Sequence, residues 1–252
     1  MRAVEPFYLN GPDGKRIRVD RSPGKDRQIL FITGFLSKRW GNKSHALARW
    51  CQEQGWGFCC YDVRGFGESE GAFTDYTLSD WISDARTVIT ALQDGPPLTV
   101  VGNSLGGWIG WLMAQEFPVV EELILVAPAF NMMGVRARSI SEERHHAWHT
   151  AGWMPWDDEP GHRDFPIAWK WVEESEVYWK TSFDRVRRVK TTILHGLQDS
   201  VIFPRGSREF AEQLLARDAT FPLELRLVQG DHRLSSPDHL DMFQRLVLRK
   251  AS

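Results

Sequence analysis

Residues 98–107 read LTVVGNSLGG, in which a β-branched apolar run leads into a serine flanked by glycines. The run Leu98–Val101 is typical of a buried strand, and the residues after the turn follow a helical pattern. A serine on a sharp turn between a strand and a helix takes a positive φ angle, and side chains two positions before and after it would collide. Gly102 and Gly106 remove that crowding because they carry no Cβ atom. The stretch therefore predicts a strand, a tight turn at Ser104 and a helix.

Two roles are open to Ser104 in such a turn. A Gly-x-Ser-x-Gly sequence between a strand and a helix is typical of a nucleophilic serine. The alternative is that Ser104 only caps the N-terminus of the helix, which is a common role for serine. A nucleophilic serine needs a base to take its proton and an acid to orient that base. The choice therefore depends on whether the chain supplies both groups further on.

The composition is that of a folded protein with a full core, at 252 residues and 42% hydrophobic content. This length fits one large α/β domain or two small ones. No internal repeat, low-complexity tract or linker divides the chain, so we predict a single domain over residues 1–252. The net charge of −2 produces no overall field that would favour nucleic acid or an anionic membrane. A small-molecule substrate is the expected partner, and the sequence leaves the oligomeric state open.

The expected location is the cytoplasm, with no segment that spans a membrane. The longest apolar runs, 29–32 and 123–127, are far shorter than the roughly 20 residues needed to cross a bilayer. The first residues show neither an apolar signal core nor the Arg- and Ser-rich composition of a transit peptide. Three cysteines, Cys51, Cys59 and Cys60, are an odd number, and two of them are adjacent. This usage fits a reducing compartment better than a disulfide framework.

Strand and helix patterns alternate along most of the chain, which predicts an α/β fold. We expect a mostly parallel sheet with an N-terminal antiparallel hairpin and with helices on both faces. The hairpin is predicted within 6–20, strands at 28–33, 57–63, 98–101, 122–126, 191–195 and 223–228, and helices at 43–54, 77–92, 108–114, 205–217 and 237–249.

The alternation stops in residues 131–190, which we predict to form an inserted helical cap, or lid. Helices are predicted there at Ser141–His149 and Pro166–Lys180. Long excursions between strands usually serve a function, and ligands of open α/β folds bind at the carboxyl edge of the sheet. An alternative is that the tryptophans of this segment simply pack it onto the body. Half of the 12 tryptophans lie in it: Trp148, Trp153, Trp156, Trp169, Trp171 and Trp179.

An acid and a base follow the serine in the order that a catalytic triad requires. Asp199 comes just after the predicted strand 191–195, and His232 just after the strand 223–228. Both therefore lie at the same sheet edge as Ser104. His232 would take the proton of the Ser104 hydroxyl, and Asp199 would fix the tautomer of His232. Each residue alone reads as a surface or turn residue, but the three together favour catalysis.

Two backbone amides are expected to stabilise the negative oxygen that forms when Ser104 attacks. One is the amide of Leu105, immediately after the nucleophile. The other comes from the loop after the strand 28–33, where Phe35 is the first choice and Leu36 the second. Gly34 allows this loop to approach the serine closely.

Other possible binding signals are weaker, and we predict neither a metal nor a cofactor. His145, His146 and His149 include an i, i+4 pair, but the segment offers no obvious third ligand. The glycines at 65 and 67 follow a strand but lack the third glycine of a dinucleotide fingerprint.

Five segments connect the chain to a known family. They are FITGFLS at 31–37, YDVRGFGES at 61–69, GNSLGGW at 102–108, LHGLQD at 194–199 and DHR at 231–233. The sequence resembles the serine hydrolases of the α/β-hydrolase superfamily and, within it, the branch of acyl-protein thioesterases and acyl-glucuronide esterases. The resemblance extends from about Gln28 to the last predicted helix. Thr33 departs from the pattern, since that branch often has histidine or proline before the oxyanion glycine.

The resemblance implies the α/β-hydrolase fold and hydrolysis of carboxylic esters or thioesters through a serine acyl-enzyme, without a cofactor. It places the triad on Ser104, Asp199 and His232. The aromatic segment 131–190 suggests an apolar acyl group, carried by a small molecule or by an acylated protein.

Three alternatives remain open from the sequence. One is a serine peptidase in which an acidic residue of the cap holds the chain end of a short peptide; the candidates are Glu142, Glu143, Glu173 and Glu174. The second is a carbon–carbon bond hydrolase with the same triad. The third is a hydrolase fold that binds a ligand without catalysis.

Overall fold

The computed structural model describes residues 4–155 and 165–249. Most predicted strands and helices are present, with ends that differ by up to three residues. The elements are β1 (Glu5–Asn10), β2 (Arg16–Ser22), β3 (Gln28–Ile32), α1 (Asn42–Gln54), β4 (Gly57–Tyr61), a 3-10 turn (Phe73–Asp75), α2 (Leu78–Thr90), β5 (Leu98–Asn103), α3 (Leu105–Glu116), β6 (Val120–Val126), α4 (Met132–Ser139), α5 (Glu142–Ala151), β7 (Trp153–Pro155), β8 (Pro166–Ala168), α6 (Lys170–Thr181), β9 (Lys190–Gly196), α7 (Arg205–Arg217), β10 (Leu223–Val228) and α8 (Pro237–Val247).

The central sheet has eight strands in the order β1-β2-β4-β3-β5-β6-β9-β10. The hairpin β1-β2 is antiparallel and pairs antiparallel with β4, while the strands from β4 to β10 are parallel. The mostly parallel sheet with an N-terminal antiparallel hairpin is thus confirmed. Because β5, β9 and β10 are parallel, they all end at the same edge of the sheet.

Helices cover both faces of the sheet, as predicted. Strand β3 is buried along its whole length, and its residues alternate between two apolar clusters. One cluster contains residues of α2, α3 and α7, and the other contains residues of α1 and α8. On the second face the rings of Trp50 and Phe243 lie 5.6 Å apart. Burial on both faces explains why the parallel strands read as nearly continuous apolar runs.

The helix predicted at Pro166–Lys180 is wrong over its first four residues. Residues Pro166–Ala168 form β8, which pairs antiparallel with β7, and α6 begins at Lys170. The reason is tertiary: Ile167 is fully buried, and its carbonyl accepts a hydrogen bond of 2.8 Å from the indole of Trp148. The helix α4, whose apolar face is buried, was not predicted.

The tryptophans of the segment between β6 and β9 serve different purposes. Trp148 and Trp171 are almost completely buried, which agrees with a packing role, whereas Trp153 is 44% exposed. Trp171 lies 4.9 Å from the ring of Trp81 in α2. Trp156 lies outside the described residues. The division of the domain at 131–190 and the function of this segment as a lid stay predictions.

Over residues 4–155 and 165–249, every helix is too short or too polar to cross a membrane.

Candidate active site

The turn between β5 and α3 places Ser104 in a strained backbone conformation, with φ 53° and ψ −121°. Non-glycine residues rarely adopt positive φ, and such strain concentrates at functional sites. The Ser104 amide donates to the carbonyl of Val126 at 2.9 Å, and its carbonyl accepts from Gly107 at 2.9 Å and from Ala129 at 3.0 Å. The Ser104 side chain makes no capping hydrogen bond to α3. This removes the support for the capping role.

The two glycines of the turn are required by close backbone contacts. A Cβ atom at Gly102 would lie 2.3 Å from the carbonyl oxygen of Gly106. A Cβ atom at Gly106 would lie 2.2 Å from the carbonyl oxygen of Ile32 and 2.3 Å from that of Thr33. The first turn of α3 therefore sits directly on the end of β3, which agrees with the crowding expected from the sequence.

The loop after β3 lies against the serine, as the sequence predicts. A Cβ atom at Gly34 would be 3.1 Å from the Cβ atom of Ser104. The loop is closed by the hydroxyl of Thr33, which donates to the carbonyl of Ser37 at 2.6 Å, and by the amide of Ser37, which donates to the carbonyl of Gly34 at 3.2 Å. The hydroxyl of Thr33 thus helps to hold this loop in its conformation. Leu36 has a φ angle of 49°.

The two residues predicted to supply amides to an oxyanion, Phe35 and Leu105, directly follow Gly34 and Ser104. Leu105 is the first residue of α3, where amide groups have no acceptor within the helix. The ring of Phe35 lies 5.5 Å from Trp81 and 5.4 Å from Trp171, which fixes this loop against α2 and α6. Their function as an oxyanion hole stays a prediction.

A buried arginine anchors the far end of the same loop. The guanidinium of Arg39 contacts the carboxylates of Asp20 and Asp62, and its amide donates to Asp62 at 2.6 Å. Burial opposes the charge on Arg39, but the two carboxylates outweigh it and raise its pKa. A buried ion pair of this kind adds little net stability when compared with apolar packing. Its evident effect here is to fix the loop to β2 and to the residue after β4.

Asp199 lies just after β9 with a fully buried side chain. One carboxylate oxygen, Oδ1, accepts hydrogen bonds from the amides of Val201 at 2.9 Å and Ile202 at 2.8 Å. The other, Oδ2, lies 2.7 Å from Nδ1 of His232 and 3.0 Å from Nε2 of His195. Burial alone would raise the pKa of Asp199, but the hydrogen bonds from both histidines and Ile202 hold it well below its usual range. The acid is therefore ionised in the folded protein.

His232 has the orientation of a catalytic base. Because Nδ1 donates to Asp199, Nε2 is the nitrogen left to accept a proton. The side chain is 19% exposed. Asp199 and His232 are thus brought together as predicted, and Ser104 lies at the same edge, where β6 separates β5 from β9. No hydrogen bond joins Ser104 to His232 among the described residues; such bonds are often loose before substrate binds.

The loop that carries His232 is held at both ends. Before His232, the carbonyl of Gln229 accepts from Nε2 of His239 at 2.7 Å. After it, the carbonyl of Arg233 accepts from the ammonium of Lys43, a buried residue of α1. These contacts connect the loop that carries His232 to α8 and α1.

Sequence reasoning missed three residues that support the site, namely Arg39, Lys43 and His195. His195 offered a signal, since it is a histidine at the end of an otherwise apolar strand and four residues before the acid. Lys43 and Arg39 offered none, because a single lysine or arginine in a sequence reads as a surface charge.

Where the structure is described, it contains no cluster of three or more metal-ligating side chains. His145 and His149 pack edge-on against Trp169, with ring centres 5.1 and 4.9 Å away.

A family model for Hydrolase_4, described as serine aminopeptidase S33, matches residues 25–156, which is more than half of the chain. The chain belongs to this family. The matched region contains the loop after β3 and the turn at Ser104, and it ends before Asp199 and His232.

Similar proteins and solved structures have the same fold as this chain. Human mitochondrial palmitoyl-protein thioesterase ABHD10 is 28% identical over 229 residues, covering 90% of this chain and 74% of the relative. The structure of mouse α/β hydrolase domain-containing protein 10 has a TM-score of 0.83 at 25% identity and covers 96% of both chains. A putative hydrolase from Agrobacterium vitis S4 has a TM-score of 0.82 at 23% identity and covers 98% of both. The predicted α/β-hydrolase fold is confirmed, and the relatives include a thioesterase.

Replacing Gly106 by alanine tests the close contact between α3 and β3. Because the new Cβ atom would meet two backbone oxygens, we expect the free energy of unfolding to fall by about 1–3 kcal/mol or more. Gly206 in α7 is the matched control, since a Cβ atom there meets nothing within 4 Å. G206A should gain about 0.5–1 kcal/mol from helix propensity. Urea denaturation measures both values, and an unchanged G106A would contradict the contact.

Replacing Lys43 by methionine tests whether the lysine that contacts the His232 loop is a buried cation. Burial lowers the pKa of Lys43 from 10.5 to about 8, against the attraction of Asp231. As the pH rises between these values, the folded protein loses this proton before the unfolded chain does, so its stability gains a contribution. K43M lacks that gain, and wild type should gain about 1–3 kcal/mol relative to it over this range.

The measurement for Lys43 is urea denaturation at several pH values from neutral to alkaline. The exposed Lys25 supplies the control, since K25M should follow the wild-type profile. If wild type and K43M also keep parallel profiles, Lys43 is not a buried cation.

Proposed function

We propose that the protein is a serine hydrolase that cleaves a carboxylic ester or thioester through an acyl-enzyme on Ser104. The observation that carries this proposal is the contact of 2.7 Å between Asp199 and His232, at the sheet edge where the strained turn presents Ser104. An ionised acid fixes the tautomer of the base, and Nε2 of His232 is then available for the serine proton.

The reaction begins when His232 Nε2 takes the proton of Ser104 as its Oγ atom attacks the carbonyl carbon of the substrate. The amides of Leu105 and Phe35 stabilise the negative oxygen that forms. The bond from the acyl carbon to the leaving oxygen or sulfur then breaks, and His232 gives its proton to the leaving alcohol or thiol. Water next attacks the acyl carbon and gives a proton to His232, which returns it to Ser104 as the carboxylic acid leaves.

The proposed substrate carries an apolar acyl group, on a small molecule or on a protein. Support comes from the aromatic surroundings of the loop after β3, where Phe35 contacts Phe73, Trp81 and Trp171. The human relative named as a palmitoyl-protein thioesterase supports a thioester substrate.

A peptidase activity is the second candidate, because the matching family model is described as serine aminopeptidase. One acidic residue considered for holding a peptide is already engaged. The carboxylate of Glu174 accepts from the amide of Ser79 at 2.9 Å and from the hydroxyl of Thr77 at 3.1 Å, and so caps α2. Glu142, Glu143 and Glu173 remain exposed.

Labelling with a fluorophosphonate probe tests the nucleophile. We expect wild type to be labelled and S104A to be unlabelled although folded. The exposed Ser200, which is next to Asp199, provides the control, and S200A should label at the wild-type rate. Wild-type protein that folds but takes no label would instead support a ligand-binding fold without catalysis.

The roles of the acid and base are tested by D199N and H232Q. D199N favours the wrong tautomer of His232, and H232Q removes the group that takes the serine proton. We therefore expect each variant to lower kcat/KM by about 10³–10⁴-fold. Circular dichroism of each variant checks that the fold is retained. Activity within tenfold of wild type in either variant would contradict the assignment.

The substrate class is tested by comparing acyl esters and acyl thioesters of increasing chain length with aminoacyl anilides. We expect the highest kcat/KM with a long apolar acyl chain. Preferential hydrolysis of the anilides would favour the peptidase, and cleavage of a β-diketone alone would favour a carbon–carbon bond hydrolase.

A further inference from the structure

A second histidine lies beneath the acid of the candidate triad. His195, in β9, is completely buried. Its Nε2 atom lies 3.0 Å from Oδ2 of Asp199 and 2.8 Å from the carbonyl oxygen of Ile202. Both partners are acceptors, so Nε2 carries a proton and donates it to both. Nδ1 lies 2.7 Å from the hydroxyl of Ser207 and accepts from it.

The tautomer of His195 is therefore fixed by its surroundings. Ser207 is also completely buried and belongs to the first turn of α7. A hydroxyl beside Nδ1 and two acceptors beside Nε2 hold the ring so that its Nε2–H group points toward Asp199. The imidazole thus links α7 to both Asp199 and Ile202, three residues apart in the loop that follows β9.

We propose that His195 is a positioning residue that holds the carboxylate of Asp199 in the orientation that presents Oδ2 to His232. This inference rests on the function proposed above. It makes Asp199 the acceptor of two imidazole N–H groups on one oxygen and of two backbone amides on the other. His195 acts through Asp199 and touches neither the substrate nor Ser104.

The geometry shows why the amides alone leave the acid incompletely fixed. The amides of Val201 and Ile202 both bind Oδ1, which leaves the plane of the carboxylate free to turn about that oxygen. The N–H group of His195 supplies a contact to Oδ2 from the strand itself. With this contact, both carboxylate oxygens of Asp199 are held by groups other than His232.

The same contact affects the basicity of His232. The groups that face His195 are Ser207 from α7 and Asp199 and Ile202 from the loop after β9, and the titratable group that faces Asp199 from the loop after β10 is His232. Removing one N–H donor concentrates the negative charge of Asp199 on its bond to His232, which favours the imidazolium form. Because the base must be neutral to take the serine proton, the acid limb of the rate profile then shifts to higher pH.

The test measures the rate of fluorophosphonate labelling at Ser104 as a function of pH, so no physiological substrate is needed. H195L removes the donor, and H195Q retains an N–H group at the position of Nε2. For H195L we expect a plateau rate lower by about tenfold and a midpoint that is higher by about 0.5 pH. H195Q should keep the wild-type midpoint, and S207A, which frees the ring, should shift the midpoint in the same direction by less.

Thr191 offers a matched control on the same strand. It is buried, and its hydroxyl donates to the carbonyl of Val189 at 2.9 Å, at the end of β9 away from Asp199. T191V should lose stability without any change of midpoint. If H195L fails to fold, S207A decides the question by the same readout.

Failures of the two proposals look different in this experiment. A wild-type protein without labelling at Ser104 overturns the proposed function. Labelling of wild type together with an unchanged midpoint in H195L and S207A overturns the role of His195 and leaves a structural role only.

Discussion

The contact between the first turn of α3 and the end of β3 is the constraint on which the site depends. A Cβ atom at Gly106 would lie 2.2 Å from the carbonyl oxygen of Ile32, and one at Gly102 would lie 2.3 Å from that of Gly106. This close approach forces the positive φ angle at Ser104 and brings Gly34 against the serine. Ser104 and the loop after β3 are therefore held together by close backbone contacts, which any side chain larger than hydrogen at Gly102 or Gly106 would disturb.

Each of three loops at the carboxyl edge is fixed by a buried polar side chain. Arg39 contacts Asp20 and Asp62 from within the loop after β3, His195 contacts the loop that carries Asp199, and Lys43 in α1 contacts the loop that carries His232. Polar groups buried in this way are costly unless they are hydrogen-bonded, so they tolerate few alternative arrangements. These contacts hold the three loops in place, although the loops contain little regular secondary structure.

Much of the fold and the candidate site was predictable because it depends on local patterns. The limits of α7 and β10 follow from apolar periodicity, and Asp199 and His232 follow from their places after two strands. What failed depends on contacts between distant residues. The strand at Pro166–Ala168 exists because Trp148 binds its backbone, and Lys43 is buried because of a carbonyl 190 positions along the chain. A single sequence carries no direct record of such pairs.

The carboxylate of Glu174 in α6 binds the N-terminus of α2, which limits how far α6 can move. Two further side chains of α6 bind the same region. The indole of Trp171 donates to the carbonyl of Tyr76 at 3.3 Å, and the hydroxyl of Tyr178 donates to Ser79 at 3.2 Å. Three side chains of α6 therefore hold this helix against residues 76–79. Opening of the predicted lid at α6 would break all of these contacts, so we expect α6 to stay with the body of the protein.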